Sequence, residues 1–259
     1  GNRLLVATRG QSSAELGARL GAIEMPAVDV VAGADLTILA VPDGRIGPLA
    51  AELARTAAPG AGQVVVHLSG SLGTEVLAPL AAAGYDVAAM HPLQVLSGWR
   101  IPPGTRFAVE GSDAALTLIG RAVRDLNGIE LELPAGARPA YHAAAVLAAN
   151  LGMTLLAEAV DLMAAAGLDR AEALSGLAGL QRGGLEASLD RGLPGALTGP
   201  VVRGDTDTVR AHLDVLHGDP DLLDAYRAVS RLALRQAQRE GRPTPDLAAA
   251  MARLLEDDK

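Results

Sequence analysis

The sequence predicts an α/β chain in which a doubly wound parallel sheet is followed by an all-helical domain. Short apolar runs alternate with amphipathic segments up to about residue 133, which is βαβ repetition. The middle runs are continuously apolar, as strands covered on both faces must be. From Pro134 onward strand candidates disappear and only helical periodicity remains.

Strands are expected at residues 4–7, 36–41, 64–68, 86–90, 106–109 and 129–133, with helices between them at 13–20, 45–56, 74–83 and 114–126. The fourth strand breaks at Pro92, so His91 and Gln94 emerge where it ends. Pro134, Gly136 and Pro139 make the following segment a loop, dividing the chain into domains at 1–134 and 135–259. Pro139 suits the first turn of a helix, and helices are expected at 139–166, 170–191, 206–216, 222–240 and 245–255. Alanine-rich helical faces allow close approach, so a dimer through the helical domain is expected.

Composition removes several chemistries. Net charge is −8 with both signs scattered, which offers a polyanion no continuous basic face and argues against nucleic acid. Cysteine is absent, excluding thiol nucleophiles and zinc-thiolate sites. The sole lysine is Lys259 at the C-terminus, an improbable Schiff-base or proton-donor residue. His212, Asp214 and His217 lack convergent spacing, and no metal site is expected. No basic-then-apolar leader or long uncharged apolar span is read, so a soluble cytoplasmic protein acting on a small molecule is expected.

Ligands of open parallel sheets sit beyond the carboxyl ends of the strands. Four such ends carry candidates: Thr8 to Ser13, Pro42-Asp43, Ser69-Gly70-Ser71, and His91 to Gln94. Thr8 to Ser13 holds no acid for a ribose 2′-hydroxyl, whereas Arg9 among Thr8 and Ser12 suits a 2′-phosphate. The alternative is a solvated turn with Ser12 or Ser13 capping the next helix. A dinucleotide fold should open with a strand and a G-x-G-x-x-G turn. This sequence opens at what reads as the second strand, and residues upstream of Gly1 are expected to carry the turn.

In the helical half, Tyr141, His142 and Asn150 interrupt an apolar helix; 142 and 150 lie about 80° apart around it. They either satisfy a helix contact or close a pocket against His91, whose imidazole is suited to proton exchange near neutrality. Farther on, Asp205 or Thr206 can cap the next helix, and Arg203 can hold a substrate carboxylate.

Together Ala40-Val41-Pro42, Leu68-Ser69-Gly70-Ser71-Leu72, His91-Pro92-Leu93-Gln94, Tyr141 to Ala145, Asn150, Ala196-Leu197-Thr198-Gly199-Pro200, Arg203-Gly204-Asp205, Thr208 and His212-Leu213 resemble a bacterial family of Rossmann-like proteins whose C-terminal helical domain is of unknown function. The family is related to pyrroline-5-carboxylate reductases, prephenate dehydrogenases and 6-phosphogluconate-dehydrogenase-like enzymes. The resemblance implies NADP, or NAD, at a rim that includes Val41, Pro42, Ser69 and Gly70, a dimerising helical domain, and hydride transfer to or from a small carboxylate in the interdomain cleft. His-Pro-Leu-Gln is similar to the His-Pro-Met stretch of prephenate dehydrogenases, which lies near the nicotinamide. Some members resemble alternative ketopantoate reductases. Lysine-dependent relatives use a lysine and an asparagine on the first helix of the second domain; here the lysine is absent and His142 occupies the neighbourhood.

The reading is therefore an NADP-preferring oxidoreductase acting on a carbonyl or imine carbon. His91 or His142 supplies the proton, Asn150 and Gln94 orient the substrate, and Tyr141, Thr198 and Arg203 complete its site. The rival reading is a nucleotide-binding or assembly protein that keeps the fold without turnover.

Overall fold

A computed structural model describes residues 3–8, 15, 17–96 and 100–256, in two compact units that meet in sequence at Leu151 and Gly152. In the first unit five strands form one sheet in chain order: β3 (Leu36–Leu39), β4 (Val64–His67), β5 (Asp86–Pro92), β6 (Arg106–Gly111) and β7 (Ile129–Glu132). A separate parallel pair, β1 (Leu5–Val6) and β2 (Ile23–Glu24), precedes it. The sheet is Rossmann-like and predominantly parallel.

Two cores explain why β4 is apolar over Val64–Val66. Its Val65 joins Leu39 beneath helices α1 (Ala27–Gly33), α2 (Asp43–Thr56) and α3 (Ala78–Ala83), with Val31, Ile46, Leu53 and Leu80. Its Val64 and Val66 join Met90, Phe107, Ile119 and Val123 beneath α4 (Asp113–Asp125) on the opposite face. Each fully buried large side chain contributes about 1.5–3 kcal/mol, and the two-sided burial holds the strand ends rigid.

The expectation of a parallel sheet is corrected at one ladder, because β5 and β6 are antiparallel. A parallel return needs a crossover, usually a helix, and residues 93–105 contain none among those described. Nor does the strand break at proline: β5 continues through His91 and Pro92, which face Ala108 and Phe107. Pro92 is the last residue of β5, and Leu93 N–H then donates to Arg106 O at 2.8 Å.

Two elements were not anticipated, β2 and α1. A two-residue strand carries no readable alternation, and α1 buries only Val31. The expected helix at 13–20 lies partly outside the described residues.

After β7 the chain forms α5 (Arg138–Val146), and a π-helical turn over Leu147–Leu151 interrupts the single helix expected at 139–166. The second unit contains α6 (Gly152–Ala165), α7 (Arg170–Ala196), the one-turn α8 (Pro200–Arg203), α9 (Thr206–Leu216), α10 (Pro220–Arg239) and α11 (Pro245–Leu254). Val209, Leu213, Leu216, Leu234, Met251 and Leu255 form its core. By contrast α6 buries only Val160 and α7 only Ala173.

Candidate functional site

The parallel order of β3, β4 and β5 brings their carboxyl ends to one rim. At the end of β4, His67 is fully buried. Its Nδ1 accepts from Ser69 N–H at 3.2 Å, so Nε2 carries the proton and donates to Gly73 O at 3.0 Å. Burial lowers its pKa below 6.5, which keeps the ring neutral in this clamp. The loop it shapes is tied to the end of β3: Ser69 Oγ and Ser71 Oγ each donate to Asp43 Oδ2 at 2.8 Å. Ser69 Oγ also accepts the Leu72 N–H at 3.1 Å.

Over this loop two imidazoles meet. A Cβ built on Gly70 would lie 2.8 Å from His142 Nδ1 and 3.0 Å from His91 Nε2. Only glycine admits this approach, and both ring nitrogens converge on one point above its backbone. The His91 and His142 rings are nearly perpendicular, with centroids 6.3 Å apart. On its other edge His91 Nδ1 is 2.7 Å from Tyr141 Oη.

Electrostatics set the protonation states. His91 is held below 6.5, first by burial and then by the neighbouring His142 and Arg138, with Asp43 opposing. Burial raises Tyr141 above 10, so its phenol keeps its proton at neutral pH. When that phenol donates to His91 Nδ1, the imidazole proton resides on Nε2, on the Gly70 side. His142 Nδ1 is buried without a hydrogen-bond partner. A buried ring nitrogen without a partner costs about 1–3 kcal/mol, and its neighbour is the proton-bearing edge of His91. The arrangement can deliver a proton from His91 Nε2–H to an acceptor within hydrogen-bond reach of that ring edge.

Arg138 anchors the helix that carries two of these rings. It is 1% exposed, and its guanidinium donates from Nε to Glu110 Oε2 at 3.0 Å, from Nη1 to Ser69 O at 3.0 Å, and from Nη2 to Ala89 O at 2.9 Å and Ala108 O at 3.3 Å. It thereby joins the β4 loop, β5 and β6 to α5. Tyr141 and His142, three and four residues later, fall on the same helix face one turn along. Sequence reasoning missed Arg138 because it sits in a proline- and glycine-rich stretch that reads as a linker. It missed His67 because the residue lies inside an apolar run, and Asp43 was noted only as a residue after a strand.

His91, Tyr141, His142, Ser69 and Gly70 are brought together within the first unit. Val41 packs against the core near α2, and Pro42 stands at that helix's N-cap position. Gln94 and Asn150 are exposed, the latter on the π-helical turn. Thr8 Oγ1 donates to Glu24 Oε1 at 2.6 Å, which ties the end of β1 to β2. Arg9 and Ser12 lie outside the described residues.

Thr198 and Arg203 belong to the second unit, where they line a groove with Leu197, Val202, Arg242 and Leu247. Asp205 caps α9 as expected, accepting from Thr208 N–H at 3.1 Å and Thr208 Oγ1 at 2.8 Å.

Residues 5–92 match a Rossmann-like domain, and residues 105–233 match a domain of unknown function, DUF2520. No curated protein matches the chain. Among solved structures, a protein of Thermotoga maritima is 23% identical, each chain being covered to 91%, with a TM-score of 0.69. An imine reductase from Myxococcus stipitatus in complex with NADP+ is 19% identical over 99% of this chain and 92% of that one, with a TM-score of 0.66. A pyrroline-5-carboxylate reductase from Coxiella burnetii is 13% identical over 99% and 90%, with a TM-score of 0.58. At these identities the likeness is one of fold.

Proposed function

Because the chain joins a Rossmann-like domain to a DUF2520 domain, we propose that it is a nicotinamide-dependent oxidoreductase acting on a carbonyl or imine carbon of a small carboxylate substrate. NADP is the proposed cofactor, with NAD second, and ketopantoate is the first substrate to test. The observation that carries this reading is the convergence of His91 Nε2 and His142 Nδ1 over Gly70 at the strand rim. The presence of an imine reductase with bound NADP+ and of pyrroline-5-carboxylate reductases among the fold's relatives supports it.

The residues fit a dinucleotide in that the loops after β3 and β4 meet at one rim, where the buried His142 Nδ1 lacks a partner. A bound nicotinamide would supply the hydride for the substrate carbon. His91 or His142 gives the proton to the substrate heteroatom, and Tyr141 fixes the His91 ring in the tautomer that presents Nε2–H. Asn150 and Gln94 orient the substrate, and Thr198 and Arg203 are the carboxylate-binding candidates of the second unit. Val41, Pro42, Ser69 and Gly70 contact the cofactor, with Thr8, Arg9 and Ser12 at its adenosine end.

The test is NADPH oxidation followed at 340 nm with a panel of 2-oxo acids that includes ketopantoate. At least one acid is expected to be reduced. His91→Ala or His142→Ala is expected to lower kcat by roughly 10²- to 10⁴-fold, the usual worth of a general acid, with NADPH still bound. NADPH binding without turnover of any acid would favour the non-catalytic nucleotide-binding alternative, and no binding would remove both.

A cytoplasmic homodimer is part of the proposal. Leu180, Leu185, Leu189 and Leu193 of α7 are 65–88% exposed, and Met153, Leu155 and Leu162 of α6 are also exposed. A second copy is the proposed cover for so much aliphatic surface.

A further inference from the structure

The groove in the second unit holds about 540 Å³, within the range of small-molecule sites. Two segments form it, residues 197–203 and 241–247. They are packed tightly: at Gly204, with φ +73°, a Cβ would lie 2.8 Å from Leu247 Cβ and 3.1 Å from Pro243 Cβ. The lining contains two guanidiniums, Arg203 and Arg242, and two hydroxyls, Thr198 and Thr244, and no carboxylate. Arg242 is also held in place, because its Nη2 donates to Pro194 O at 2.8 Å, leaving Nε and Nη1 for another acceptor. The nearby Asp205 carboxylate accepts from Thr208 and also lies in the field of Arg203. Leu197, Val202, Pro243 and Leu247 supply the aliphatic remainder of the lining.

We propose that this groove binds a small organic acid with a short branched aliphatic body, its carboxylate shared between Arg203 and Arg242 and its body resting on Leu197, Val202 and Leu247. The inference rests on the reading above for the role of Arg203, and it adds Arg242 as a second anchor and the substrate class. Guanidiniums present paired donors that match a carboxylate. Aliphatic walls favour branched carbon over a fully hydrated anion such as phosphate.

The test uses the full chain and calorimetric titration with 2-oxoisovalerate, pyruvate and inorganic phosphate. 2-Oxoisovalerate is expected to bind more tightly than either of the others. Arg203→Gln and Arg242→Gln are each expected to raise its Kd at least tenfold with the thermal midpoint unchanged. Leu247→Ala is expected to weaken 2-oxoisovalerate more than pyruvate. Unaltered affinity in Arg242→Gln, or phosphate binding as tightly as the branched acid, would overturn the proposal. The two readings fail separately. Acid binding that survives His91→Ala without NADPH consumption in the parent chain would sink the reductase and keep the groove. NADPH consumption with Kd and KM untouched by Arg242→Gln would do the reverse.

Discussion

Replacing Gly70 by alanine would set a methyl group 2.8 Å from one imidazole nitrogen and 3.0 Å from the other. Both rings would have to turn away, so Gly70→Ala is expected to retain the fold, keep its urea midpoint within a few tenths molar, and lose most NADPH turnover. Equal turnover would show that the meeting of the rings is incidental. Arg138 has the opposite character. Its removal in Arg138→Met leaves Glu110 and three carbonyl oxygens without their donor, and a broken buried ion pair costs about 3–5 kcal/mol. Urea denaturation should register a loss of that size, and a loss below 1 kcal/mol would contradict the anchoring role. His91 and His142 were legible in the sequence because an imidazole beside a strand end or on an apolar helix demands a partner. Arg138 was not, since its value lies in carbonyls 30 to 69 residues away along the chain.

Among the elements, those with strong periodicity were legible, such as β4 with its valines facing two cores and α9, found at the bounds expected for it. The π-helical turn at Leu147–Leu151 and the antiparallel β5–β6 ladder were not, because each depends on contacts outside the local pattern. Helix capping gives a check at this scale. Asp205 accepts two hydrogen bonds from Thr208 at the start of α9, and Asp205→Ala should lower the melting midpoint. Calorimetric melting measures it, and an unchanged midpoint would argue against the cap. At β1, the Glu24 carboxylate on Thr8 opposes a 2′-phosphate by charge. Glu24→Gln is accordingly expected to lower the KM for NADPH several-fold relative to that for NADH, whereas an unchanged ratio would place the adenosine ribose elsewhere.

For the whole molecule the exposed leucines are decisive. An 18-residue window within the helical run Arg138–Ala165 has a mean hydropathy of 1.7 and passes for a membrane span by length and composition, whereas the proposed second copy would cover the same surface. Leu185 and Leu189 share a face of α7, and the double change to Asp should convert a dimer to a monomer by light scattering. Sedimentation with lipid vesicles instead would indicate a membrane partner. Stability should also fall on acidification. His67 and His91 have folded pKa values below 6.5, so the unfolded chain takes up protons first, and stability present above about pH 6.5 is lost as pH falls toward the lower folded values. The urea midpoint is expected to drop between pH 7.5 and 5.5, and a flat profile would contradict the burial of neutral rings.

The account turns on His91 and His142 sharing one reacting place. Ring-¹⁵N-histidine spectra recorded during an NADPH titration test this directly. Both rings are expected to shift together with a single Kd, while His212 and His217 stay still. Titration that leaves the rings at 91 and 142 unmoved while NADPH binds would contradict it.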